Sequence, residues 1–304
     1  MDELIKTYLF YGQTNPDGII PYLSCADFDG LSREKHFFIN SKNEKIAYFY
    51  YTSSKAQNGK TGMFFPGVGV GHAAYVHERA TLCERGYTVL TFDYFGCGES
   101  DGENYVSLLA PARDALELIE YLDIDGSVVA VGHSLGGHTA LKVLASTDKI
   151  KKAVIISGFF DFRWNVPSGA KDEISAYEKS AEPEIFATDV ISFLKSTSDK
   201  IFFIHSKDDT IVPYGMYTGY IENSIKNANF IFHSETSRGH NPNYSDDAVK
   251  YMKDTFSEYL GLVSKGVLDT YEKKKAYMSD KSAMKMTVQD GRIFDKIDDF
   301  IKKG

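Results

Sequence analysis

Between about residues 61 and 260, short runs of β-branched and aromatic residues alternate with stretches whose apolar residues recur at helical spacing. The short runs are Met63-Phe64-Phe65, 87–92, 127–131, Ala153–Ile156, Ile201–Ile204 and Phe230–Phe232. One helical stretch passes through Val76, Ala80, Leu82 and Cys83 and stops at Gly86, a residue suited to a helix C-terminus. Others cover Ala112–Leu122, with Ala115, Leu116 and Ile119 in step, and about Leu135 to Ala145. Continuous apolar strands separated by helices predict a mostly parallel sheet covered on both faces, an α/β class. Right-handed crossovers then bring the loops that follow the strands to one edge of the sheet. A functional site belongs at that edge.

Three regions fall outside this rhythm. Residues 1–60 form an extension with one expected hairpin, His36–Asn40 against Lys45–Tyr51 about a polar Ser41–Glu44 turn, joining the sheet. Residues 61–262 form the core, within which 159–200 is longer than one crossover needs and reads as a small cap insert. Residues 263–304 are Lys-rich and partly helical, and Phe294, Ile297, Phe300 and Ile301 are spaced for an amphipathic helix expected to pack on its own domain. A chain of 304 residues with 43% hydrophobic content can bury such a core. The net charge of −8 offers no basic excess for a nucleic-acid partner. Cys25, Cys83 and Cys97 are an odd, scattered set that fits a reducing compartment. The opening Met1-Asp2-Glu3-Leu4-Ile5-Lys6 lacks the features of a secretory signal. No apolar stretch reaches the roughly 18 residues of a membrane span, so a cytoplasmic protein is expected. The sequence carries no sign of oligomeric state.

The chemistry centres on Gly132-His133-Ser134-Leu135-Gly136, a G-x-S-x-G pattern. The bare match is weak, because short motifs recur by chance. Its position, after the apolar run ending at Val131 and before the helix opening at Leu135, is where a nucleophile elbow belongs. The glycines allow a tight turn, which lifts the hydroxyl of Ser134 to the loop edge beside the positive end of a helix. A serine needs a base. Of eight histidines, His240 follows the last strand by a short loop and precedes the final helix, which places it at the same edge. His133 is expected to point away from Ser134, His138 lies on the packing side of its helix, and His205 and His233 end strands. The base needs an acid to orient it. Asp208 and Asp209 both follow the run Ile201–Ile204, and Asp161 follows the preceding one. The order serine, acid, histidine is the one this architecture uses.

Together with the segment 93–102 (Asp-Tyr-Phe-Gly-Cys-Gly-Glu-Ser-Asp-Gly), the motifs at 132–137, 209–213 and 239–240 resemble an α/β-hydrolase, nearest the monoacylglycerol-lipase and serine-aminopeptidase-like branch. The resemblance covers about residues 60–262. It implies Ser134 as nucleophile, His240 as base and Asp209, rather than Asp208, as acid, and makes Asp93 a structural residue. It also implies an oxyanion hole from the backbone N–H groups of Leu135 and Val68. Pro66 stands where the family carries a histidine, a departure that removes no needed donor.

The expected reaction is that of a serine hydrolase, acyl transfer to water through an acyl-enzyme, with no metal or organic cofactor. Phe159 and Trp164 of the cap are expected to bind a small or medium, partly apolar ester, as in a carboxylesterase. An aminopeptidase or acylpeptide hydrolase acting on short peptides is the alternative, with Asp172 or Glu173 holding an amine. A thioester or polar-lipid substrate, and a ligand-sensing protein with little turnover, are further alternatives.

Overall fold

The computed structural model describes residues 18–303 except 70, 165 and 167; the amino-terminal Met1–Lys6 lies outside the described residues. One sheet carries β1 (Leu31–Ile39), β2 (Lys45–Ser53), β3 (Thr61–Phe65), β4 (Thr88–Phe92), β5 (Val129–His133), β6 (Lys152–Ile156), β7 (Lys200–Ser206) and β8 (Phe230–Glu235). Their spatial order is β1-β2-β4-β3-β5-β6-β7-β8. From β4 to β8 every pairing is parallel, while β1 with β2 and β2 with β4 are antiparallel. The hairpin has the expected polar turn but runs longer, with Leu31 opposite Ser53 and Ile39 opposite Lys45.

Side chains alternate across the sheet, as strand geometry requires. Met63, Phe65, Leu90, Ala130, Ile155 and Phe203 enter one core cluster. Phe64, Val89, Val131, Ile156, Phe202 and Ile204 enter the other. The first face is covered by α2 (Ala110–Tyr121), α3 (Leu135–Ser146) and α7 (Thr218–Ser224), together with the segment between β6 and β7. The second is covered by α1 (Val76–Glu84) and by α11 (Gly291–Lys302), whose Ile293, Phe294, Ile297, Phe300 and Ile301 are all buried. The amphipathic stretch therefore packs on its own sheet. Three helices, α9 (Tyr271–Ser279), α10 (Ala283–Met286) and α11, follow α8 (Asp246–Ser264), so the helix after His240 is not the final one.

The segment between β6 and β7, expected as a small cap insert and called the cap below, contains α4 (Lys171–Ala181), α5 (Pro183–Ala187) and α6 (Val190–Ser196). It is tied down by buried polar side chains. Glu178 of α4 accepts the Ser107 hydroxyl and the Leu108 amide, and Lys142 of α3 donates to the Ile185 and Thr188 carbonyls. Among the described residues, no helix is long and apolar enough to cross a membrane.

Candidate active site

Because β3, β5, β6, β7 and β8 run parallel, the segments that follow them meet at one sheet edge. Ser134 lies directly after β5 with φ 57° and ψ −119°, a left-handed conformation costly for a residue with a Cβ. Two contacts hold it there. Its amide donates to the Ile156 carbonyl of neighbouring β6 (2.9 Å), and its carbonyl accepts from the His138 amide as α3 begins (3.1 Å). The turn closes only because Gly136 packs its Cα against the end of β3. A Cβ there would overlap the Phe65 carbonyl oxygen.

The segment leaving β3 passes beside the serine. A Cβ on Gly67 would lie 3.4 Å from that of Ser134. Val68 follows and is half-buried. Leu135 opens α3, so its N–H has no partner within the helix. The Pro66 carbonyl is held by the Tyr94 hydroxyl at 2.7 Å, which anchors the segment that carries the departure from the expected pattern.

At the end of β7 the two adjacent acids separate by orientation. Asp209 is 4% exposed, and its Oδ1 accepts the amides of Ile211 (2.8 Å) and Val212 (3.0 Å). Its Oδ2 accepts Nδ1–H of His240 (2.8 Å) and Nε2–H of His205 (3.1 Å). Burial by itself raises the pKa of this carboxyl, but the His205 and His240 donors outweigh it and hold it well below the usual carboxylate range. Asp208 is exposed and faces the other way, accepting the Ser206 hydroxyl and the Gly239 amide (3.0 Å). It braces the loop that presents His240. Asp161, the third acid, is paired instead with Arg163 at 2.6 Å.

His133 and His205 are more involved than their sequence positions suggest. His133 donates from Nε2 to the His240 carbonyl (2.8 Å), and its Nδ1 accepts the Tyr75 hydroxyl (2.9 Å). The Tyr75 hydroxyl is also met by the Gly67 amide. A chain of hydrogen bonds thus links the segment after β3 to the loop after β8 through His133, the residue before Ser134. Burial, followed by the neighbouring His240, lowers the His133 pKa to about 3, so the ring stays neutral and keeps this donor and acceptor arrangement. The two histidine rings lie 4.8 Å apart between centroids. His205, fully buried, also donates to the Val212 carbonyl (2.8 Å) and accepts the Thr218 hydroxyl (2.8 Å). Its spacing four residues before Asp209 was a readable signal. Tyr75 gave none.

The remaining residues fall as follows. Phe159 stacks on His138 with centroids 4.6 Å apart. Trp164 packs edge-on against Phe160 (4.7 Å) and beside Tyr217 (5.8 Å). Both thus belong to one aromatic cluster at the cap base. His233 pairs with Glu235 at the end of β8. The buried Asp93 carboxylate ties two turns together, accepting the His72 amide (2.6 Å), His72 Nδ1–H (2.7 Å) and the Glu99 amide (2.8 Å). Asp172 and Glu173 are exposed in the first turn of α4.

Comparison with known proteins agrees with this architecture. The model of the alpha/beta hydrolase family matches residues 63–249. The proline iminopeptidase of Thermoplasma volcanium is 32% identical over 115 residues, which are 36% of this chain and 39% of that protein's length. Among solved structures, an esterase from Pyrococcus furiosus superposes with a TM-score of 0.55 at 18% identity, covering 81% of this chain and 95% of its own. The mouse alpha/beta hydrolase domain-containing protein 10 gives 0.52 at 19% identity, covering 76% and 99%. At such identities these structures speak for the fold alone.

Proposed function

This chain belongs to the alpha/beta hydrolase family, and from that we propose that it is a serine hydrolase cleaving carboxylic esters of small to medium, partly apolar substrates. The observation that carries the reading is the shared sheet edge: after β5 a serine held at φ 57° at the start of a helix, and after β8 a histidine whose Nδ1–H is fixed on a buried, ionised aspartate.

In this reading His240 Nε2 takes the proton of Ser134 as its oxygen forms a bond to the substrate carbonyl carbon. Asp209 keeps Nδ1 protonated and stabilises the imidazolium that results. The negative charge on the former carbonyl oxygen is received by the N–H groups of Leu135 and Val68, each worth about 3 kcal/mol of transition-state stabilisation. The bond to the leaving alcohol breaks as His240 returns the proton to it. Water, deprotonated by the same histidine, then releases the acid and restores Ser134. The chain's own residues carry each step.

A second reading, an aminopeptidase, is favoured by the proline iminopeptidase relative, which fits the serine-aminopeptidase-like branch. Asp172 and Glu173 are the acids it would call on for a substrate amine.

A fluorophosphonate probe tests the central assignment. Wild-type protein is expected to be labelled once, at Ser134, and Ser134→Ala is expected to lose both labelling and hydrolysis of p-nitrophenyl esters. Labelling elsewhere, or full esterase activity in Ser134→Ala, ends the proposal. Turnover of prolyl and aminoacyl anilides against graded p-nitrophenyl esters ranks the two readings.

A further inference from the structure

Helix α3 carries a second set of buried polar side chains, beginning one turn beyond Ser134, which the hydrolytic reading leaves unused. His138 is 1% exposed, and its Nδ1–H donates to the Phe159 carbonyl at 3.1 Å. That bond fixes the tautomer, so Nε2 bears the lone pair, and Nε2 has no hydrogen-bond partner among the described residues. A buried polar atom without a partner calls for an explanation. Lys142, one turn further on, is 6% exposed, and its ammonium donates to the Ile185 and Thr188 carbonyls at 2.8 Å each. One N–H is left over.

His138 and Lys142 line a cavity of about 450 Å³ between α3 and the cap, whose other charged lining residues are Asp161, Arg163, Lys179 and Asp189. Both carboxylates are already engaged. Asp161 receives the Arg163 guanidinium through Nε and Nη2 (2.6 to 3.0 Å), and Asp189 receives the Ser192 amide and hydroxyl (3.1 and 2.6 Å). Among the described residues, the side-chain donors left over in this lining belong to cations: the third N–H of Lys142, Nη1 of Arg163 and the ammonium of Lys179. Three positive groups therefore face two satisfied negative ones. Phe162 and Phe186 supply apolar wall.

We propose that this cavity binds a small organic carboxylate, its anion received by Lys142, Arg163 and Lys179 and its apolar body lying against Phe162 and Phe186. Charge-assisted hydrogen bonds of this kind are the strong ones. Burial lowers the Lys142 pKa to about 8, so an adjacent anion restores what desolvation withdraws from the ammonium. Burial, and next the Lys142 charge, likewise lower the His138 pKa to about 3. An anion beside the ring favours its protonation and turns the orphaned Nε2 into a donor.

The inference does not rest on Ser134 being a nucleophile, so the test is run on wild-type and Ser134→Ala protein alike. Benzoate and its neutral isostere benzamide are titrated by calorimetry and by imidazole-resolved NMR. Benzoate is expected to bind once, saturably, and to move the His138 ring signals, with benzamide at least about tenfold weaker. Arg163→Gln and Lys179→Gln are each expected to weaken benzoate by about tenfold and leave benzamide unchanged. Both residues are exposed, so these variants keep the core. Benzamide binding as well as benzoate, no saturation with either, unmoved His138 signals, or unaffected variants would each overturn the proposal.

Discussion

Asp208 and Asp209 are chemically identical neighbours, and only their surroundings divide them. Asp209 is enclosed and takes four donors, two from histidines; Asp208 is exposed and holds the amide of Gly239. Asp209→Asn is expected to lower kcat by about 10⁴-fold, the effect of losing the acid and with it the correct tautomer. Asp208→Asn only loosens the His240 loop, and a loss of no more than about a hundredfold is expected. Steady-state kinetics on one ester compares them, and an inverted order would exchange their assignments. Acid stability gives an independent reading. The Asp209 carboxyl titrates lower in the folded chain than in the unfolded one, so its contribution is complete above the unfolded value, about 4. It is lost as pH falls toward the folded value. The stability gap between wild type and Asp209→Asn, followed by urea unfolding, should therefore narrow below about pH 4. In the sequence the family pattern alone favours Asp209, and local chemistry leaves the two acids unresolved, since the orientation of a loop carboxyl depends on which amides and histidines fold over it. The role of Tyr75 was illegible for a related reason: its partner His133 is 58 positions away.

The turn between β5 and α3 is where element geometry and the proposed chemistry coincide. The motif placed it correctly because its glycines answer to local sterics, which a sequence reports directly. The structure adds the partner that the glycines accommodate. Gly136 rests on the end of β3, and Gly137 approaches the segment after β6, where a Cβ would come within 2.8 Å of the Gly158 Cα. Gly136→Ala is expected to push α3 off the sheet edge at a cost of about 3 kcal/mol or more, since backbone cannot yield as a flexible side chain does. The denaturant midpoint should fall and serine labelling should slow together. A variant with an unchanged midpoint would mean that the turn is looser than its contacts imply. The strands were legible to within two residues at most ends, because alternation across two buried faces leaves continuous apolar runs. The short helices of the cap were not, because they are held by single buried polar groups such as Glu178 and Lys142 rather than by a repeating pattern.

At the scale of the molecule, residues 31–53 and 291–302 are parts of the sheet and its covering. β1 and β2 extend the sheet, and α11 closes one face of it. The amphipathic spacing of Phe294, Ile297, Phe300 and Ile301 was readable and pointed to its own domain, whereas the sheet face it covers was not, since a stripe on a helix does not name the surface it meets. Five side chains of α11 are buried, at about 1.5–3 kcal/mol each, a sum near the whole stability of an ordinary domain. A chain ending at Asp290 is accordingly expected to lack a cooperative thermal transition by circular dichroism. Retention of a sharp transition would show that α11 is dispensable.

The position of α11 also bears on how the protein is made. Phe64, Val131, Ile156 and Ile204 belong to strands synthesised early and midway, yet their cover includes residues 291–302. On a ribosome adding about 5–20 residues per second, half of the sheet waits many seconds with apolar surface open. Contacts of such long sequence separation also slow folding. The nascent chain is thus a natural client for chaperones that shield apolar surface, and its yield should respond to their supply more than its final stability does.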